Sequence, residues 1–217
     1  MGASRHRHLA RYSPRAALGA LCVVALLMPG ALLGEGLDEA VARAMQIFSE
    51  GDVVGAMMML QPAAESGHPG AQVRLAYILD RARDYQGALH WYRAAAEAGD
   101  PEGAFGLAAM LAAGEGTPPD PTEAGQWMEW AAQGGHLRAM LALAGAHERG
   151  GLGREVDPIR ALSWYRQAAQ RGDRQARQRL AQAYMNGELG LEPDAQAAEA
   201  WLSDGTTDSG ADTGARQ

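Results

Sequence analysis

The chain has 217 residues, 47% of them apolar and 6% aromatic, with 28 glycines, one cysteine and a net charge of −7 with histidine neutral. All 19 basic residues are arginine, which excludes lysine Schiff bases, Walker-type phosphate loops and Ser-x-x-Lys hydrolases together. Beyond residue 36, fifteen arginines face twenty-five carboxylates and no cysteine remains, so a nucleic-acid partner, a thiol nucleophile and stabilisation by disulfides are all disfavoured.

Residues 1–36 have the layout of a secretory signal peptide. Arg5, Arg7, Arg11 and Arg15 form a basic head, and residues 17–28 (ALGALCVVALLM) form a short apolar run. Pro29-Gly30 and the small residues Gly34 and Gly36 follow, placing the expected cleavage within residues 31–36. The rival is an uncleaved anchor over residues 16–33, disfavoured because the apolar run falls short of the ~20 residues a membrane helix needs. Cys22 follows Leu21 rather than a small residue, which argues against lipid attachment, and no paired arginines precede the run.

The remainder is written in repeats. Residues 56–68 read AMMMLQPAAESGH, 88–100 ALHWYRAAAEAGD, 124–136 AGQWMEWAAQGGH and 161–173 ALSWYRQAAQRGD, and AEAWL begins at Ala198. The leading alanines Ala56, Ala88, Ala124, Ala161 and Ala198 are 32, 36, 37 and 37 residues apart, the spacing of a helix-pair solenoid. Other features keep the same phase. An aspartate stands four residues before each copy: Asp52, Asp84, Asp120, Asp157 and Asp194. A small-x-x-x-Leu-Ala motif precedes each of the last four copies. It is Ala71 with Leu75 and Ala76, Gly103 with Leu107 and Ala108, Ala139 with Leu143 and Ala144, and Ala176 with Leu180 and Ala181.

Each unit therefore reads as helix A, a turn, helix B and a tight stop, and the fold class is all-α: a solenoid of about five antiparallel helix pairs. A divergent first pair covers 37–68, and further units cover 69–100, 101–136, 137–173 and a truncated 174–202. The aspartates are expected to cap helix B at its start, with Pro121 and Pro158 at the first helical position. Gly67, Gly99, Gly135 and Gly172 are expected to close it in the left-handed conformation. Trp91, Trp127, Trp164 and Trp201, with Met59 in the first unit, share a face with the following Ala-Ala pair. Together with the four Leu-Ala pairs, the tryptophans are expected to form the repeat core. The glycine-rich stretches 114–120, 151–157 and 187–194 read as inter-helix turns, replaced by the short RARD at 81–84 in the 69–100 unit. The polar tail 203–217 is expected to be disordered.

No catalytic, metal or cofactor motif emerges. His68 and His136 follow helix-ending glycines and read as surface or cap residues. His147-Glu148 is not followed by a second histidine four residues after the first, as a zinc-protease helix requires, and His147 reads as a hydrogen-bonded core or groove residue. The run Met57-Met58-Met59 reads as alternation onto a helix core.

The pattern A-x-x-x-L-G/A, then G-x-G, then D-x-x-x-A-x-x-W-Y, then A-A-x-x-G-H/D resembles the Sel1-like repeat, a relative of the tetratricopeptide repeat, over about residues 37–202. The opening stretch 50–68, with Pro62 inside its second helix, resembles the divergent first unit of bacterial members. Leu79, Leu111 and His147 depart from a position that is often Tyr, which only Tyr184 keeps. The resemblance implies a right-handed superhelix whose concave face is lined by helix A. It also implies a non-enzymatic interaction scaffold of the bacterial envelope, periplasmic or secreted, with inner-membrane anchoring as the alternative. The implied groove residues are Tyr77, Asp80 and Arg81; Glu102 and Phe105; Arg138, Leu141 and Glu148; and Gln175, Gln178 and Gln182. The expected partner is a protein or peptide, with no cofactor. A hydrolase using groove carboxylates is the competing expectation, as is a membrane-anchored assembly factor.

Overall fold

The computed structural model describes residues 36–203, so the leader and the tail from residue 204 lie outside the described residues. Within them run ten α-helices: α1 (Leu37–Ser49), α2 (Val53–Glu65), α3 (Pro69–Arg81), α4 (Tyr85–Glu97), α5 (Pro101–Ala113), α6 (Pro121–Gln133), α7 (Leu137–Arg149), α8 (Pro158–Gln170), α9 (Arg174–Asn186) and α10 (Ala195–Leu202). Odd-numbered helices are the A helices and even-numbered ones the B helices. Each packs on its predecessor and successor, and α1 also meets α3, as α3 meets α5. Apart from an isolated Gly151–Arg154 bridge, no strand pairing occurs among the described residues. The fold is an all-α repeat solenoid.

The same device makes both turns of the repeat. At the A-to-B turn an aspartate side chain accepts an amide of the helix it opens: Asp52 from Gly55, Asp84 from Gly87, Asp120 from Thr122 and Glu123, Asp157 from Arg160, and Asp194 from Ala197. Its own backbone N–H donates back to the helix just ended, as from Asp84 to Leu79, Asp157 to His147 and Asp194 to Tyr184. At the B-to-A turn the residue after the glycine does the same. His68, Asp100, His136 and Asp173 each donate their N–H to a carbonyl five residues back. Their side chains then accept an amide from Ala71, Gly103, Ala139 or Ala176. The intervening Gly67, Gly99, Gly135 and Gly172 have φ between +87° and +93°, which a side chain would oppose. A single residue thus ends one helix and starts the next, fixing the angle between them.

The core is made of small residues at helical spacing. The leading alanines of all five B helices are 1% exposed or less. Leu75 and Ala76 of α3, Leu107 and Ala108 of α5, Leu143 and Ala144 of α7, and Leu180 and Ala181 of α9 are all buried, at 3% exposed or less. These eight are packing residues, as their spacing predicts, and being enclosed they take no part in a binding surface. The tryptophans depart from expectation: Trp91, Trp127, Trp164 and Trp201 are only half-buried and lean on the edge of the core. The residue after each of the first three fills the interior, namely Tyr92, Met128 and Tyr165. The reason is angular. Ala88, Tyr92, Ala95 and Ala96 lie at i, i+4, i+7 and i+8, the centre of the buried stripe, and the i+3 position sits at its margin. In α2 that central position is Leu60, at 1% exposed, while Met58 is 58% exposed and Met57 and Met59 are half-buried. His147 is 5% exposed, a core residue, and its Nδ1 has no hydrogen-bond partner among the described residues. Burial there follows from its place on the inward face of α7, where related positions carry Leu79 and Leu111.

Candidate interaction face

Because the pairs Leu75-Ala76, Leu107-Ala108, Leu143-Ala144 and Leu180-Ala181 point inward, residues on the other side of each A helix form a second face. On α3 this face carries Tyr77, Asp80 and Arg81. Tyr77 is 38% exposed and meets Phe48 of α1 edge-on, with ring centroids 6.0 Å apart. Asp80 is half-buried and Arg81 exposed.

On α5 and α7 the expected residues form a small cluster. The Phe105 ring stacks on His136 at 4.4 Å with 22° between planes, and the Arg138 guanidinium lies 4.8 Å from the Phe105 centroid. Glu102 Oε2 is 3.7 Å from His136 Nε2. Burial lowers the His136 pKa and outweighs the nearby Glu102 carboxylate, which raises it. A neutral ring suits its task, since Nδ1 accepts the Ala139 amide at 3.2 Å. Leu141 of α7 is half-buried and packs against the core.

Glu148 belongs elsewhere. The Tyr165 hydroxyl donates to its Oε2 at 2.7 Å, and Arg179 donates to Oε1 through Nε at 3.1 Å and Nη2 at 2.6 Å. Arg179 Nη1 also sits 2.7 Å from Glu188 Oε2, as an ion pair outside hydrogen-bond alignment. Burial would raise the Glu148 pKa, but the Arg179 and Tyr165 hydrogen bonds prevail and hold it low. Burial together with Glu148 pushes the Tyr165 hydroxyl up to about 12. Glu148 is therefore committed to holding α7, α8 and α9 together.

Gln175, Gln178 and Gln182 lie on α9, where Gln175 and Gln182 are exposed. Gln178 borders a cavity of about 450 Å³ with Arg174, Arg177, Trp201 and Leu202, at the end of the stack. Arg174 and Arg177 align with Leu137 and the fully buried Met140 of the preceding unit, so the last A helix presents a polar outer surface.

The expected residues thus fall into four places rather than one continuous strip: Tyr77 with Asp80 and Arg81, the Glu102–Phe105–Arg138 cluster, Glu148 in its clasp, and the glutamines of α9. Sequence reading missed His136 as a ring partner, Tyr92 and Tyr165 as buried phenols, and Arg179 as a clasp. The Trp-Tyr pairs of 91–92 and 164–165 carried a signal for the phenols; Arg179 carried none, because it is the only arginine of its helix enclosed by two carboxylates in space. Among the described residues no group of three or more His, Cys, Asp or Glu side chains is placed to hold a metal, and no helix is long and apolar enough to cross a membrane.

The Sel1 repeat model matches residues 69–100, 101–136, 137–173 and 174–203. A Sel1 repeat protein from Oxalobacter formigenes is similar in structure, with a TM-score of 0.66 and 28% identity over 77% of this chain and 69% of that one. A protective antigen of uropathogenic Escherichia coli displaying an SLR fold has a TM-score of 0.69 and 25% identity over 85% of this chain and 39% of its own. In sequence, 62 residues are 42% identical to an uncharacterised protein of Neisseria meningitidis serogroup B, spanning 29% of this chain and 13% of that protein. Four consecutive matches, each falling on one helix pair of the solenoid, establish that the chain belongs to the Sel1 repeat family.

Proposed function

We propose that this chain is an exported, non-enzymatic scaffold of the bacterial cell envelope that binds a protein or peptide segment on the face lined by its A helices. The observation that carries this reading is the chemistry of that face. Tyr77, Phe105 with Arg138, and the glutamines of α9 combine aromatic surface, charge and amides outside the packed core, as protein-binding surfaces do. The family is one of interaction scaffolds, and the leader layout of residues 1–36 supports export. A hydrolase would need a carboxyl group held protonated. Among the described residues the carboxylates with displaced pKa are Glu148, held low against its burial by Arg179 and Tyr165, and Glu188, held low by Asn186 and then Arg179.

Affinity capture from envelope extract tests the binding role, comparing the wild type with a Tyr77→Ala/Phe105→Ala/Arg138→Ala variant whose fold is checked by circular dichroism. Partner recovery is expected to drop in the variant; equal recovery of every co-purifying protein would defeat the reading. N-terminal sequencing tests export. A start within 31–37 is expected, and a start at Met1 would make it an anchored or unexported protein.

A further inference from the structure

Charged groups at the joints between successive A helices follow one pattern. Asp38 at the start of α1 reaches His68, which caps α3, with Oδ1 3.2 Å from Nε2. Glu102 at the start of α5 reaches His136, which caps α7, with Oε2 3.7 Å from Nε2. In both joints the earlier helix offers an acid and the later one an imidazole. At the last A helix the sign is reversed. Counted from the buried alanines Ala40 and Ala176, Arg174 stands where α1 has Asp38, and Arg177 where it has Val41. Neither arginine side chain has a hydrogen-bond or ion-pair partner among the described residues.

These two side chains, with Gln178, Trp201 and Leu202, line the cavity of about 450 Å³ at the end of the stack. The start of α9 is left uncovered because α10 has eight residues where the other B helices have thirteen. In the 101–136 unit the end of helix B closes on the start of helix A, so that a Cβ on Gly134 would meet Pro101 at 2.8 Å. Leu202 is exposed and Trp201 half-buried, which sets apolar surface beside the two cations. The first described helix carries the complementary set. It opens Leu37-Asp38-Glu39, with all three residues exposed and both acids in its first turn. Asp38 touches only His68, and Glu39 has no side-chain partner among the described residues.

We propose that the start of α1 from a second copy of this chain docks on the start of α9, with Asp38 and Glu39 against Arg174 and Arg177 and Leu37 against Leu202 and Trp201. The contact repeats the joint between A-helix starts that the chain already makes internally, with the signs exchanged. An arginine fork can take a carboxylate through two parallel bonds, which fixes orientation as well as attraction. Like charge keeps two α9 ends apart, and two α1 ends likewise, so unlike ends are selected. The two surfaces differ, so the contact is head-to-tail and propagates to larger species unless a ring closes. It uses the ends of the solenoid and is independent of what binds along the A helices.

Sedimentation velocity of the purified chain with its natural N-terminus, over a wide range of protein concentration and at about 0.02 M and about 0.5 M salt, tests the contact. Size is expected to grow with concentration at low salt and to stop growing at high salt. Arg174→Glu/Arg177→Glu and Asp38→Arg/Glu39→Arg, each checked for fold by circular dichroism, should associate about tenfold more weakly than the wild type. An equimolar mixture of the two should recover association, since each variant keeps one natural end. Arg138→Ala should behave like the wild type. A monomer at every concentration, association untouched by either reversal, or a mixture no better than its components would overturn the head-to-tail contact. Association that appears only after residues 204–217 are removed would also overturn it, because the tail would then hold the α9 end in the whole chain.

Discussion

Glu148 of α7 and Arg179 of α9, 31 residues apart in sequence, meet at 2.6 Å, and Glu148 also receives the Tyr165 hydroxyl from the helix between them. Three successive helices are tied by one carboxylate. Such a clasp joins neighbouring repeats, the interface on which solenoid stability depends.

Because Arg179 and Tyr165 hold the Glu148 pKa low against its burial, the folded state releases this proton more readily than the unfolded chain. The associated stability is present above the unfolded glutamate value of about 4.5 and is lost as pH falls through the folded one. Arg179→Leu should cost about 1.5–3 kcal/mol near neutral pH. It should also flatten the stability profile between about pH 5 and pH 3. Urea melts across that range check both. An unchanged acid limb would show the clasp to be energetically idle.

His136 acts in the same direction in a higher pH window. Its Nδ1 caps α7 only while unprotonated, and burial lowers its pKa, so its contribution is complete above the ordinary imidazole value of 6.5 and declines as pH falls below it. The Phe105 stack and Glu102, Asp100 and Arg138 surround the ring, with the carboxylates moderating the loss. His136→Asp copies the caps at Asp100 and Asp173 and should keep α7 closed at its start. Its melting temperature should vary less than that of the wild type between about pH 7 and pH 5.5, as measured by thermal circular dichroism.

Truncations should rank by burial rather than by size. Leu180→Ala removes a side chain with no exposed surface and should cost about 2–5 kcal/mol. Trp164→Ala removes a larger but half-buried ring and should cost about half of the 3–5 kcal/mol typical of an enclosed tryptophan. Chemical denaturation of the two variants decides the order.

Two helical glycines should respond with opposite signs to alanine. A Cβ on Gly125 of α6 would strike the Leu152 carbonyl oxygen, a backbone atom held in the loop whose Arg154 also bonds Gly125 O and Glu129. Gly125→Ala should destabilise by about 1–3 kcal/mol. On Gly145 of α7 the Cβ would meet only the tip of the Arg149 side chain, which can swing away. Gly145→Ala should therefore be neutral or stabilise by up to about 1 kcal/mol. Thermal melts of both, read side by side, test the difference.

Much of the architecture was legible because it is local. An aspartate four residues before a leading alanine announces a helix start within its own turn, and Gly99 or Gly172 announces an end by its backbone freedom alone. The Leu-Ala pairs, from Leu75 and Ala76 to Leu180 and Ala181, announce the inward face of helix A by recurring at one phase. Asp100 and Asp173 cap helix A by the same chemistry, though each lies within the closing turn of helix B, where the neighbouring glycine dominates the local pattern. The tryptophans were misjudged for a geometric reason: one residue along a helix turns the side chain by about 100°, enough to move the interior place from Trp164 to Tyr165.

The sequence by itself determined the repeat, its phase, the turns and the small-residue core, since each depends on contacts within a unit or on helical spacing. Tertiary structure decided what the acids do. Glu148 and Asp80 occupy the same repeat position, yet only Glu148 is clasped, because the neighbouring A helix supplies Arg179 in one case and Gly106 in the other. That difference arises between helices some thirty residues apart, where only folding brings the partners within reach of one another.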